Sequence, residues 1–187
     1  MDILRLIRVK HWVKNVFVIF PLFFSGELLD GDVSSDIFRA SLAFLSFCLW
    51  SSAIYVLNDI VDVERDRAHP RKQNRPIASG QVSVWTASFL GVALFVLPFL
   101  VMGLVLQNVC DARDKFFLCG ILYGLNNLFY CFLLRSQVIL DVFSISMGFI
   151  LRILSGCFII LLVEISGAVR RWSYAPRLAK RRIKREF

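Results

Sequence analysis

The sequence predicts an all-α fold, a polytopic bundle of about five transmembrane helices, on three observations. Of its 187 residues, 57% are hydrophobic and 18 are phenylalanine, and the mean hydropathy is +0.66. A soluble domain is usually nearer half apolar. The runs 40–57, 82–106, 116–134 and 142–151 carry no charge. The charges collect between the runs, with the sign bias that short membrane loops show.

A helix needs roughly 20 apolar residues to cross the hydrocarbon. Residues 1–15 precede the first candidate span. They are basic and amphipathic, and no small-residue cleavage site follows them. This predicts an interfacial lead-in with Trp12 at headgroup depth, not a cleaved signal. The first span, 14–29, is short and contains Pro21 and Glu27; a re-entrant segment would read the same way. The second, third and fourth spans follow from the uncharged runs. The fifth, 138–163, includes Asp141 and Arg152.

Basic residues of short loops stay cytoplasmic. Arg5, Arg8, Lys10 and Lys14 therefore place the N-terminus inside, and the loop 58–80 follows on the same side. The expectation is an integral protein of the cytoplasmic (inner) membrane with its active face inward. The tail conflicts with this. Residues 170–187 hold eight Lys or Arg against one Glu, a net +7 of the chain's +8, and a fifth span leaves them outside. The expected organisation is an incomplete membrane domain over 1–163 and a basic tail over 164–187 that is not native to the fold. Cys48, Cys110, Cys119, Cys131 and Cys157 are not paired at metal-ligand spacing and read as apolar packing residues. His11 and His69 lie too far apart in sequence to suggest a metal site by themselves.

The chemistry concentrates in NDIVDVERDRAHPRKQNRPIASG, residues 58–80. Asn58, Asp59, Asp62 and Asp66 fall within an arc of roughly 100° if the second span continues past Leu57. Pro70 disfavours helix at His69 and ends it. Three carboxylates on one face repel one another unless a cation sits among them, and hard oxygen ligands of this kind suit Mg²⁺ or Ca²⁺. Arg67, Lys72 and Arg75 follow at once, placed to hold phosphate charge. The loop reads as a metal–diphosphate clamp, against the alternative of a solvated, positive-inside loop that binds only lipid headgroups.

A second site lies in LDVFSISMGFILR, where Asp141 and Arg152 are close to three turns apart, about 16 Å along one face. Ionisable residues within a span are costly and default to function; a structural ion pair is the alternative. Asn126 and Asn127 serve helix packing or substrate. Tyr130 and Arg135, at the cytoplasmic end of the fourth span, are level with the clamp and in reach of phosphate.

Asn58, Asp59, Asp62 and Asp66 followed by HPRKQNRPIASG resemble the first aspartate-rich motif of the UbiA superfamily of intramembrane prenyltransferases. RVKHWVKNVFVIFPLFF, YVLNDIVDVERDRAHP and LDVFSISMGFILR resemble its decaprenyl-phosphate phosphoribosyltransferase branch, and the likeness covers residues 5–158. The resemblance implies transfer of 5-phosphoribosyl from phosphoribosyl diphosphate to a polyprenyl (decaprenyl) phosphate, in cell-wall arabinan precursor synthesis. It implies Mg²⁺ held by Asp59 and Asp62, assisted by Asn58 and Asp66. Arg67, Lys72 and Arg75 would bind phosphate oxygens, and Lys14, Arg135 and Arg152 would steer the lipid phosphate. Prenyl transfer to an aromatic or quinone precursor would use the same clamp, and an inactive membrane fragment is the non-enzymatic alternative. The superfamily implies about nine spans, so this chain reads as a truncated or frame-shifted member. No nucleic-acid partner is expected; an oligomer is compatible with the sequence.

Overall fold

The computed structural model describes residues 2–24, 33–134 and 139–160. Arg135, Glu27 and the basic tail 164–187 lie outside the described residues.

The described residues are almost entirely helical. A one-turn helix α1 (Asp2–Leu6) leads into a 3₁₀ stretch, Val9–Val18, and a short helix α2 (Phe20–Phe24). Helix α3 (Val33–Val61) is followed by the short α4 (Val63–Arg67), a 3₁₀ turn at Lys72–Asn74, α5 (Val84–Val105) and α6 (Cys110–Phe129). A π-helical turn, Tyr130–Leu134, extends α6. The last helix, α7, spans Ile139–Ile160. Four of these segments, Ser34–Val61, Val84–Val105, Cys110–Phe132 and Ile139–Ile160, are long and apolar enough to cross a membrane.

Helix α3 is the most buried of the four and α5 the least. That ordering follows from composition. Helix α5 is apolar all round, the pattern of a helix embedded in apolar surroundings, and it exposes Trp85, Phe89, Leu100 and Leu104. Helix α3 carries Ser46, Ser51 and Ser52, all buried, which need partners in the protein because hydrocarbon supplies none. Its Trp50 is fully buried, stacks near Phe47, Phe99 and Phe116, and donates its indole N–H to the Phe95 carbonyl at 3.0 Å.

The segment expected as a first span behaves differently. Among the described residues, 9–24 form a 3₁₀ stretch and one helical turn, not a long helix. The reason is polar. Asn15 is fully buried and donates to Ser51 Oγ at 3.1 Å and toward Cys48 Sγ at 3.4 Å. Trp12, expected at headgroup depth, is half-buried and donates its indole N–H to Ser52 Oγ at 3.0 Å. Ser52 in turn donates to the Ile7 carbonyl at 2.8 Å. The N-terminal segment is thus fastened along the serine face of α3. It turns onto that face at Arg8, which has φ 51° and is the one non-glycine residue with positive φ among the described residues.

Candidate active site

The end of α3 carries the acidic residues as its sequence period requires. Asp62 N–H donates to the Asn58 carbonyl at 3.0 Å, and Asp66 N–H to the Asp62 carbonyl at 2.8 Å. The i→i+4 ladder therefore runs across the junction of α3 and α4 and keeps these residues in one column. After Pro70 the chain folds back. The Arg71 and Lys72 amides donate to His69 Nδ1 at 3.2 and 3.4 Å, and Gly80 makes the turn into α5 with φ 79°, a conformation glycine adopts at no steric cost. Ile77 and Ala78 are buried and anchor the loop. Lys72 and Arg75 come to lie over the acids.

Asp59, Asp62 and Asp66 are 3%, 6% and 1% exposed, so none is a solvated surface charge. Arg75 Nη1 sits between two of them, 3.0 Å from Asp59 Oδ1 and 2.6 Å from Asp66 Oδ2. Arg8, 51 positions upstream of Asp59, brings Nη2 to 2.5 Å from the same Asp59 oxygen and lies over the Tyr55 ring. Lys72 Nζ stands 4.0 Å from Asp66 Oδ1, and Arg65 Nη1 3.5 Å from Asp62 Oδ1. Burying carboxylates is tolerable only with such compensation.

This geometry bears on a divalent ion in two ways. Asp59 and Asp66 converge on a shared cation, the Arg75 guanidinium, and Asp66 Oδ1 is buried and accepts no hydrogen bond. A carboxylate pair with an unsatisfied oxygen fits Mg²⁺, which takes one or two protein carboxylates and completes its shell with water and phosphate. The expected four-residue set does not converge: among the described residues, no three Asp, Glu, His or Cys side chains gather to hold one ion. Asn58 instead meets the Cys131 thiol.

Beyond Asn58, between the N-terminal segment, α3, α6 and α7, lies a polar chamber of about 180 Å³. Asn58, Asn126, Asn127, Tyr123 and Tyr130 line it, as do the cations Lys14 and Arg152 and no carboxylate. Asn126 donates to the Ser144 carbonyl at 2.9 Å, and Asn127 to the Tyr123 carbonyl at 2.8 Å. Arg152 is 8% exposed. Its Nε donates to Asn15 Oδ1 at 2.8 Å and its Nη2 to the Tyr123 hydroxyl at 3.0 Å.

The sequence of residues 18–175 matches the UbiA prenyltransferase family. The chain belongs to the UbiA prenyltransferase family. It is 36% identical over 155 residues to a decaprenyl-phosphate phosphoribosyltransferase of Mycolicibacterium smegmatis, covering 82% of this chain and 46% of that protein. It is also 36% identical over 154 residues to a decaprenyl-phosphate phosphoribosyltransferase of Corynebacterium glutamicum, covering 82% and 44%. The chain thus spans about half the length of the curated relatives it matches. A UbiA homolog from Archaeoglobus fulgidus, solved bound to DMAPP and Mg²⁺, superposes with a TM-score of 0.66 at 20% identity over 86% of this chain and 55% of that one. The UbiA fold is therefore common to both.

Within this UbiA-type helix bundle the residues singled out from sequence separate into two groups. Asp59, Asp62, Asp66, Lys72 and Arg75 form the ion-paired cluster. Lys14, Asn58, Tyr130 and Arg152 line the chamber. Arg67 belongs to neither by its one hydrogen bond, from Nε to the Ala78 carbonyl at 3.3 Å; it ties α4 to the returning loop. Asp141 is not Arg152's partner, and its Oδ1 is buried without a hydrogen bond. Sequence reasoning missed Arg8, Asn15, Tyr123 and Cys131. Arg8 and Asn15 stand in the RVKHWVKN stretch that carries the family likeness, so a signal was present. Tyr123 and Cys131 offered none beyond a polar or soft side chain within an apolar run.

Proposed function

We propose that this protein transfers a phosphoribosyl group from phosphoribosyl diphosphate to a polyprenyl phosphate, at the cytoplasmic face of the membrane and with Mg²⁺. One observation carries the choice of donor. The chamber reached at Asn58, the neighbour of Asp59 in sequence, carries asparagines, tyrosines and two cations among Ile54, Ile145 and Phe149, and those polar groups suit a hydroxylated, phosphorylated sugar and would be costly to cover with an isoprenyl chain. The names of the relatives, where this chain matches them at 36% identity, support the same reading.

Asp59 and Asp66 would hold Mg²⁺, which when bound neutralises charge developing on the leaving diphosphate. Arg75 and Arg8, which pair with the carboxylates, would turn to the diphosphate oxygens once a metal takes their place. Asn126, Asn127 and Tyr130 offer amide and hydroxyl groups to the ribose. The C1–O bond to diphosphate breaks, its electron pair leaving with diphosphate, and an anionic oxygen of the lipid phosphate bonds to C1. The acceptor oxygen carries no proton, so the chain needs no general base. C1 gains oxocarbenium character as the bond lengthens, as in glycosyl transfer generally, and excluding water from the chamber protects it from hydrolysis.

A second reading, prenyl transfer, is favoured by one feature. An apolar groove of about 430 Å³ runs between α3, α5 and α6 from Phe95 and Ile121 to Ile60, the residue that follows Asp59 in sequence. Membranes containing the protein, given Mg²⁺ and either labelled phosphoribosyl diphosphate with polyprenyl phosphate or labelled prenyl diphosphate with an aromatic acceptor, separate the two. Label is expected in lipid from the sugar donor. Labelled product from the prenyl donor alone would overturn the proposal.

A further inference from the structure

Arg8 touches both parts of the site. Its Nη2 lies 2.5 Å from Asp59 Oδ1, and its guanidinium lies over the Tyr55 ring, 4.9 Å from the centroid. Tyr55 lines the chamber, and the His11 ring meets it at 5.3 Å. The His11 amide donates to the Arg8 carbonyl at 2.8 Å and closes the turn between them. That turn is bent the unfavourable way. Arg8 has φ 51° and ψ 51°, where the Cβ of an L-residue crowds the following carbonyl oxygen. A non-glycine residue stays there only where its surroundings hold it. The charged contact to Asp59 supplies that hold, since hydrogen bonds between ions are roughly twice as strong as neutral ones. On either side the chain is fastened independently. Leu6 is fully buried and Ser52 donates to the Ile7 carbonyl at 2.8 Å; Trp12 and Asn15 donate to Ser52 and Ser51. Loss of the Asp59 contact would therefore loosen the turn between these anchors without detaching the segment.

We infer that Arg8 is a latch whose grip on the Asp59 carboxylate holds residues 7–12 and the Tyr55 wall of the chamber in place. The inference rests on the proposed metal site and adds an order of events to it. The Asp59 oxygen that takes Arg8 also takes Arg75, and a divalent ion on that carboxylate would repel both guanidiniums. The turn then loosens when the ion binds alone. It tightens again when diphosphate arrives with the ion and gives Arg8 a new anionic partner. The chamber wall is thus firm only around a complete donor, when water must be kept from the reacting carbon. Arg8 acts here as a positioning residue, through the turn and Tyr55.

Hydrogen–deuterium exchange at the His11 amide, on the whole chain in detergent, reads the opening of the turn. Mn²⁺ alone should speed exchange there by about tenfold or more, the factor that matches loss of one charge-assisted hydrogen bond. Mn²⁺ with pyrophosphate should restore the slow rate. Asp59→Asn removes the charged partner of Arg8 with no metal present and should speed the same amide as much. Arg8→Gln should exchange fast in every condition. Arg8→Gly should exchange more slowly than Arg8→Gln, since glycine takes the left-handed turn at no steric cost, and should not respond to Mn²⁺. Unchanged protection across α5 shows that each variant is folded. Exchange at His11 that is indifferent to Asp59→Asn overturns the inference, as does bound Mn²⁺ that leaves the native rate unmoved. Native protein that binds no Mn²⁺, while Asp59→Asn still frees the amide, would instead strike at the metal site and leave the grip of Arg8 on the turn standing.

Discussion

Asp59→Ala should reduce the proposed phosphoribosyl transfer by on the order of 10²–10³-fold, the scale seen when one preorganised electrostatic contact to a reacting group is removed. Asp59 is the residue on which the cluster is centred. One of its oxygens takes both Arg8 and Arg75, so its loss leaves Arg8 without its carboxylate and Arg75 with Asp66 alone, and would deprive the proposed divalent ion of half its carboxylate pair. Asp59→Asn retains the shape and one acceptor oxygen but not the charge, and should fall nearly as far. If packing were the role of Asp59, the asparagine variant would keep most of its activity. The structural cost should be smaller than the catalytic one, about 1–3 kcal/mol, because Arg8 and Arg75 remain a quarter exposed and can turn to solvent. Labelled lipid product measures the first effect, and thermal unfolding in detergent the second.

Gly156→Val should be the most destabilising of the glycine substitutions. A Cβ at Gly156 would meet the Val18 carbonyl oxygen, its carbon at 3.0 Å and Pro21 Cγ at 3.1 Å. The obstacle is backbone, which cannot rotate aside, so the N-terminal segment must lift from α7. That segment carries Asn15 and Lys14, so the Arg152–Asn15 bond would go with it. Overpacking of this kind costs about 1–3 kcal/mol or more. Melting should fall by several degrees for a chain of this size. Gly103→Ala is the matched control: its Cβ would lie 3.6 Å from Phe117 Cζ, an ordinary contact, so that variant should melt no lower than the native protein. Equal destabilisation by both would mean that the close approach of Val18 to α7 contributes nothing.

The four long helices could be read from sequence because hydropathy acts over about 20 residues and leaves the hydrocarbon few other solutions. The acidic column could be read because helical period continues past Leu57. What escaped the sequence depended on contacts between distant positions. Arg8 looked like one more cation of a basic lead-in until the left-handed turn at its own backbone brought it onto Asp59. Residues 14–29 looked like a short span, since hydropathy averages over a window and does not say where one side chain's donors go; the Asn15 amide and the Trp12 indole, donating to Ser51 and Ser52, fasten the described part of the N-terminal segment to α3. Asp141 and Arg152 share a helix face by period, yet three turns is too far for an ion pair. Arg152 answers instead to Asn15 and Tyr123 on other elements, which a one-dimensional pattern does not contain.

Asp59 and Asp66 are expected to exchange their arginine partners for a divalent ion that also binds diphosphate. Electron paramagnetic resonance of Mn²⁺, substituted for Mg²⁺ on the whole chain in detergent with pyrophosphate added, tests this directly. The account predicts bound Mn²⁺ with hyperfine coupling to phosphorus, and its disappearance in Asp59→Ala and Asp66→Ala alike. Mn²⁺ that stays free in the native protein, or binds with undiminished phosphorus coupling when both aspartates are gone, would contradict it.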